Sequence, residues 1–210
     1  MSTDPLGPAR RHRTQRERSD ATRELLLDAT ITCLVESGYA NTSVQGICAR
    51  AGVSRGAQQH HFSSKADLMA RALEHLFGKL TDEISEAPGG LPSGPDRVAA
   101  LIDLLWRSYS GTLSTAAMEL WVAARTDPEL RAALLPVDRA LGHTTLELYR
   151  DVISDEAPTG QVDTMLLLTV NLTRGLALDA MIGGDPARRE RLLTAWKAMV
   201  TTVLHPKQAG

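Results

Sequence analysis

Catalytic strings are scarce in this sequence. The metalloprotease pair H-E-x-x-H, the redox or zinc pair C-x-x-C and the P-loop are all missing. His60 and His61 are adjacent, so on a helix they point about 100° apart and chelate one metal poorly. His12, His75, His143 and His205 are scattered, and the acidic pairs Asp82-Glu83 and Asp155-Glu156 stand in polar, solvated contexts. An enzyme is therefore the weak reading, and neither a metal nor a cofactor is expected. No run of about 18 apolar residues exists, so no membrane-spanning helix is expected. The first residues lack the apolar core of a signal peptide, and the expected location is the cytoplasm. There are only two cysteines, Cys33 and Cys48, both on apolar helical faces. A disulfide is open to them in principle, while buried free thiols fit a reducing compartment. Aromatics make up 4% of a chain that is 43% hydrophobic, so the apolar content is mostly Leu and Ala, which favours helix. No segment alternates apolar and polar residues between hairpin turns. The fold class expected is all-α.

Acid is the other absence, and a local one: residues 52–66 contain no Asp or Glu. The stretch around them, 42–65, organises the chain. Thr42 and Ser43 are placed to cap a helix. Val44, Ile47, Cys48 and Ala51 then recur at i, i+3, i+4 and i+7, one face of a helix. Gly52 stands where a C-cap needs a left-handed residue, and Ser54 offers a second N-cap for a helix through about His61. Helix, glycine turn, helix occurs in many all-α proteins and is also the helix-turn-helix design, whose second helix can enter a major groove. The second helix favours the latter reading. Arg55, Gln58, Gln59, His60 and His61 crowd into one and a half turns. Arg reads guanine and Gln reads adenine by paired hydrogen bonds, and acids there would be repelled by phosphates. Charge is divided accordingly within a net of −2. Residues 1–65 carry nine Lys/Arg and six Asp/Glu, net +3, against fourteen and nineteen in 66–210, net −5.

Around this stretch, residues 1–17 hold Arg10, Arg11, Arg13 and Arg16 beside two prolines. A disordered basic arm is expected, with insertion into a minor groove as the alternative. A supporting helix should start near Ser19 or Asp20 and end at Gly38, and a longer one should follow Ser63 or Ser64. Residues 86–95 are rich in Pro and Gly and read as a loop. Helices are then expected from Asp96 to about Tyr109, from Ser114 to Arg125 and from Asp127-Pro128-Glu129 on, with a break or kink at Pro136. Val162–Ile182 is apolar around nearly its whole circumference and must be buried on more than one side. With the final helix after Asp185-Pro186, it suggests either a homodimer interface or a central core helix.

The stretch Thr22 to Leu68 resembles the N-terminal domain of the TetR family of transcriptional regulators. The resemblance is carried by Leu26-Leu27-Asp28-Ala29, Gly38-Tyr39, Thr42-Ser43-Val44, Ile47, Ala51-Gly52-Val53-Ser54-Arg55-Gly56 and His60-His61-Phe62-x-x-Lys65. It implies that 18–65 is a DNA-binding domain and 66–207 a larger helical domain that binds a ligand and dimerises through its last two helices. It implies that Thr42 and Lys65 hold phosphates, that Arg55, Gly56, Ala57, Gln59, His60 and His61 face the groove, and that Phe62 is core. Ser43 and Ser54, as the two caps, complete the DNA-binding set. The chain departs from the family's pattern at Gln58, where a leucine is frequent, and at Gln59, where a tyrosine is. That puts the half-site sequence in question. Phe77, Trp106, Tyr109, Met118 and Trp121 either line an effector cavity or are ordinary core. Asn171 and Arg174, polar residues in the most apolar helix, need a partner, whether a ligand, another helix or a second subunit. The function expected is a dimeric repressor released from a palindromic operator in double-stranded DNA by a small apolar effector. A DNA-binding dimer governed by a protein partner, and an all-α enzyme with a relic head, are the alternatives.

Overall fold

A computed structural model describes residues 14–85, 92, 96–153 and 159–204, for a few of them (83–85, 148, 151–153 and 159) the backbone alone. Among the described residues the structure is all-α. The helices are α1 (Gln15–Asn41), α2 (Val44–Ala51), α3 (Arg55–His61), α4 (Lys65–Ser85), α5 (Asp96–Tyr109), α6 (Thr112–Ala124), α7 (Pro128–Ile153), α8 (Thr159–Met181) and α9 (Pro186–Leu204). No helix is long and apolar enough to cross a membrane, among the described residues.

Two apolar clusters hold the chain together. The first takes Leu26, Leu27 and Leu34 from α1, Ile47 from α2, Leu68, Met69 and Leu73 from α4, Leu120 from α6 and Leu130 and Leu134 from α7. Each such side chain contributes about 1.5–3 kcal/mol on burial. This cluster runs through residue 65 without a break, so α1 and α4 are packed directly on α6 and α7. The second joins α5, α8 and α9 through Val98, Ile102, Leu105, Leu166, Leu193 and Val200.

Several boundaries differ from expectation. α1 begins at Gln15 rather than near Ser19, because Thr14 and Glu17 form a reciprocal capping box: Thr14 Oγ1 accepts the Glu17 N–H and Glu17 Oε2 accepts the Thr14 N–H. The basic segment therefore turns helical before residue 17, and residues 1–13 lie outside the described residues. Gly38 kinks α1 instead of ending it, with φ 73° and ψ 168°, and one more turn follows to Asn41. Pro136 does not break α7, which runs through it as one helix. Both Pro136 and Ala132, whose carbonyl loses its helical donor, are exposed, so water can satisfy that carbonyl. The Gly/Pro-rich loop at 86–95 lies outside the described residues except for Pro92. Cys33 and Cys48 are free thiols, the second buried. α8 is apolar all round, yet Leu167, Leu168, Leu178 and Met181 are exposed in the single chain, as are Ile182, Leu192 and Met199 nearby.

Candidate functional site

The acid-free turn is built as a helix-turn-helix. Ser43 Oγ accepts the Gly46 N–H at 3.0 Å and opens α2. Gly52 closes it in the left-handed region, φ 65° and ψ 30°, which only glycine enters without strain. Ser54 Oγ accepts the Ala57 N–H at 3.2 Å and opens α3. The same turn, Gly52-Val53-Ser54-Arg55-Gly56, spells the G-x-S-x-G string of a hydrolase nucleophile elbow. That elbow joins a strand to a helix, whereas this turn joins two helices and its serine oxygen serves as a cap.

α3 presents Arg55, Gly56, Gln59 and His60 to solvent, with Ala57 and His61 half-buried. Gln58, one of the polar residues crowded into this helix but outside the expected groove-facing set, is 3% exposed and faces the core. Ser43 and Ser54 are exposed, and because their oxygens act as acceptors their O–H protons remain for a phosphate oxygen. Thr42 is the reverse case. It is buried, and its hydroxyl donates to the Gly38 carbonyl at 2.7 Å. Its side chain is thus committed to the kink, which corrects its expected use as a phosphate ligand. Arg23 of α1 was not anticipated. Its guanidinium lies 5.9 Å from the Phe62 ring centroid, beside the end of α3. Burial, His60 and Arg23 together push the His61 pKa down. Arg50, also exposed near the turn, is paired with Glu36.

Lys65 sits at the joint between this head and the rest of the chain. Its ammonium lies 4.1 Å from the Tyr39 ring centroid. Burial holds its pKa below the usual lysine range, with Asp127 opposing. The Tyr39 hydroxyl donates to Asp127 Oδ2 at 2.9 Å, and the Tyr39 N–H donates to Glu119 Oε2 at 2.9 Å. Burial and the Asp127 bond push the Tyr39 pKa up to about 12. The kink in α1 is thus fastened to α6 and to the α6–α7 turn by one residue.

Among the described residues, two cavities divide the expected pocket residues. Phe77 and Tyr109 line a small one of about 30 Å³ with Leu105, Leu113, Thr145 and Tyr149. Trp121 borders a separate cleft of about 200 Å³ between α6 and α7, with Arg125, Arg131, Leu134, Leu135 and Asp138. Met118 is half-buried and lines neither. Trp106 packs on the second core, with the Arg189 guanidinium 5.3 Å from its ring centroid. Asn171 is exposed in the single chain, bonds back to the Leu167 carbonyl and lines neither of these two cavities. Its partner is its own helix. Arg174 does join the aromatics: its guanidinium lies 4.6 Å from the Trp121 ring centroid and 5.5 Å from that of Tyr109.

Comparison with known proteins agrees with this geometry. Residues 26–72 match the family described as bacterial regulatory proteins, tetR family. An uncharacterized HTH-type transcriptional regulator of Mycobacterium bovis is 30% identical over 200 residues, 91% of this chain and 99% of that protein. The HTH-type transcriptional regulator CymR of Pseudomonas putida is 29% identical over 183 residues, 87% and 90% of the two chains. Among solved structures, a transcriptional regulator from Rhodococcus sp. Rha1 superposes with a TM-score of 0.67 at 31% identity, covering 87% of this chain and 95% of that one. The multidrug binding protein EbrR, complexed with ethidium, shares the fold with a TM-score of 0.64 at 22% identity, over 88% and 99%. An exposed, acid-free second helix in a helix-turn-helix, and relatives that match nearly end to end, lead to one conclusion: the chain is a DNA-binding member of the TetR family of transcriptional regulators.

Proposed function

We propose that the chain is a homodimeric repressor that leaves a palindromic operator when a small, largely apolar molecule binds among α4–α8. The observation that carries the reading is the α3 face. Arg55, Gln59 and His60 stand exposed there, with no carboxylate from residue 52 to residue 66 to oppose phosphate. Ser43, Ser54 and Arg23 flank it, and Lys65 joins them if its ammonium leaves Tyr39 for a phosphate. The division into a DNA-binding part up to residue 65 and a sensing and dimerising part beyond it is one of function, since one apolar cluster spans both.

Dimerisation is assigned to α8 and α9. Leu168 and Leu178 fall along one side of α8 with Asn171 and Gly175 between them, Ile182 follows just past its end, and Leu192 and Met199 lie along α9. Such a stripe favours a partner surface, and a two-fold dimer presents two α3 helices to successive turns of a palindrome. The same fold in EbrR holds ethidium, so a ligand within these helices is compatible with the architecture. Signal would travel through Tyr39, because movement of Glu119 or Asp127 acts directly on the α1 kink and on Lys65. The effector must favour one of two head spacings, since only a difference in affinity between states shifts their balance.

The test is fluorescence anisotropy of the full chain on an operator selected from random duplexes, titrated with compounds that raise its melting temperature. Release of DNA by a stabilising compound supports the reading. Specific DNA binding that no compound disturbs would instead favour control by a protein partner.

A further inference from the structure

Among the described residues, two buried side-chain polar atoms lack a hydrogen-bond partner: Ser114 Oγ on α6 and Arg174 Nε on α8. Arg174 also has no ion pair with any described carboxylate, and its only contacts of note are the faces of Trp121 and Tyr109. Aromatic faces compensate a charge only in part, and a buried donor left unmade is costly. Its planar fork of N–H groups matches a carboxylate with two parallel hydrogen bonds.

Geometry places an apolar space next to this unmet donor. Ser114 and Trp121 are seven residues apart, two turns along one face of α6. Leu113, which precedes Ser114, lines the small cavity, and so does Tyr109, whose ring also carries Arg174. The rest of that lining is chiefly apolar, with Phe77, Leu105 and Tyr149 prominent. Its volume of about 30 Å³ is near that of one water, so a larger body enters only as these side chains move apart. The Tyr149 hydroxyl has no hydrogen-bond partner among the described residues.

We propose that the effector is an apolar carboxylate, its carboxylate held by Arg174 and its hydrocarbon or aryl body in the space beside Tyr109. This rests on the ligand-responsive reading above and narrows it to a chemical class. The carboxylate competes with the Trp121 face for the guanidinium.

The experiment compares acids with uncharged molecules of the same shape. Benzoate, 2-naphthoate and decanoate are tested beside benzamide, 2-naphthamide and decanamide, by thermal shift and calorimetry on the full chain and by release of operator DNA. At least one acid is expected to bind and release DNA, with its amide weaker by roughly ten- to a hundredfold. Arg174→Met is expected to bind acid and amide alike, and Arg174→Lys to keep part of the preference. If the Arg174 variants fail to fold, the acid-to-amide ratio of the unmodified chain still decides, since it needs no variant. Equal binding of acid and amide, no binding of any acid, or a preference that survives Arg174→Met overturns the inference. Release of DNA by a neutral compound while all the acids are inert overturns it and leaves the repressor reading standing. Absence of operator binding by the unmodified chain overturns the reading beneath it.

Discussion

Gly38→Ala should cost far more stability than any other glycine change near the DNA-binding head. At φ 73° and ψ 168° the residue occupies a region essentially closed to side chains, and an alanine there carries strain of about 1–3 kcal/mol. A Cβ would also stand 3.0 Å from Glu119 Oε2. That is the oxygen accepting the Tyr39 N–H at 2.9 Å, so the carboxylate must give way and a charge-assisted bond of about 1.5–3 kcal/mol is weakened or lost. Together the two effects amount to about 2.5–6 kcal/mol, a large part of the roughly 5–15 kcal/mol that ordinarily holds a domain. Urea unfolding at one fixed protein concentration measures it, the concentration being held because a dimer is involved. Gly56→Ala is the control. It lies inside α3 with nothing within 4 Å of its Cβ position, and helix propensity alone should leave stability unchanged or raise it by about 0.5–1 kcal/mol. Glu119→Ala should lose the bond alone, and the double variant should cost less than the sum of the two. A Gly38→Ala cost below about 1 kcal/mol, or full additivity with Glu119→Ala, would refute the joint as described.

Four further outcomes follow from the same structure. Arg55→Ala should lose about 1–3 kcal/mol on the selected operator and little on random duplex; equal loss on both would make Arg55 a phosphate contact. Lys65→Ala should weaken binding to all sequences and flatten the salt dependence by about one, whereas an unchanged slope removes its phosphate role. Leu178→Arg on the exposed side of α8 should give a sedimenting monomer with weakened operator binding, and a dimer that persists would move the interface elsewhere. Asp163, held below its ordinary 3.8 by the paired Arg150 bonds at 2.6 Å, contributes stability that is present above that value and lost as pH falls through its folded pKa. The stability gap between the unmodified chain and Asp163→Asn should therefore be present at neutral pH and close in acid, as urea midpoints across pH will report.

The head was readable because its local signals agree. Ser43, Gly52, Ser54 and the apolar spacing of Val44, Ile47, Cys48 and Ala51 each demand the same two helices. The start of α1 was also written in the chain, as Thr14-x-x-Glu17, but Ser19 and Asp20 are equally good caps taken singly. Only the reciprocal bonding distinguishes them. Gln58 and Gln59 could not be separated by composition. In a seven-residue helix the inward side is set by what lies beneath, and Gln58 is the one that faces inward. The surroundings of Asn171 were illegible for a related reason, since a helix apolar all round does not say which of its sides meets its own chain. Convergence of the aromatics was the least legible feature. Phe77, Trp106 and the α6 pair Met118 and Trp121 sit on three helices whose relative rotation no local pattern encodes, and among the described cavities they have distinct surroundings. Arg23 had a signal, a basic residue one turn before the Leu26-Leu27 core, but its place beside α3 depends on how α1 crosses it.

The measurement that bears most directly on the central claim is the affinity of the full chain for a duplex selected from random DNA against a scrambled duplex of the same composition, at one stated salt concentration. The exposed α3 face predicts sequence preference of about a thousandfold or more, with two matching half-sites one helical turn apart. Equal affinity for both duplexes, or no binding to either, would contradict the account.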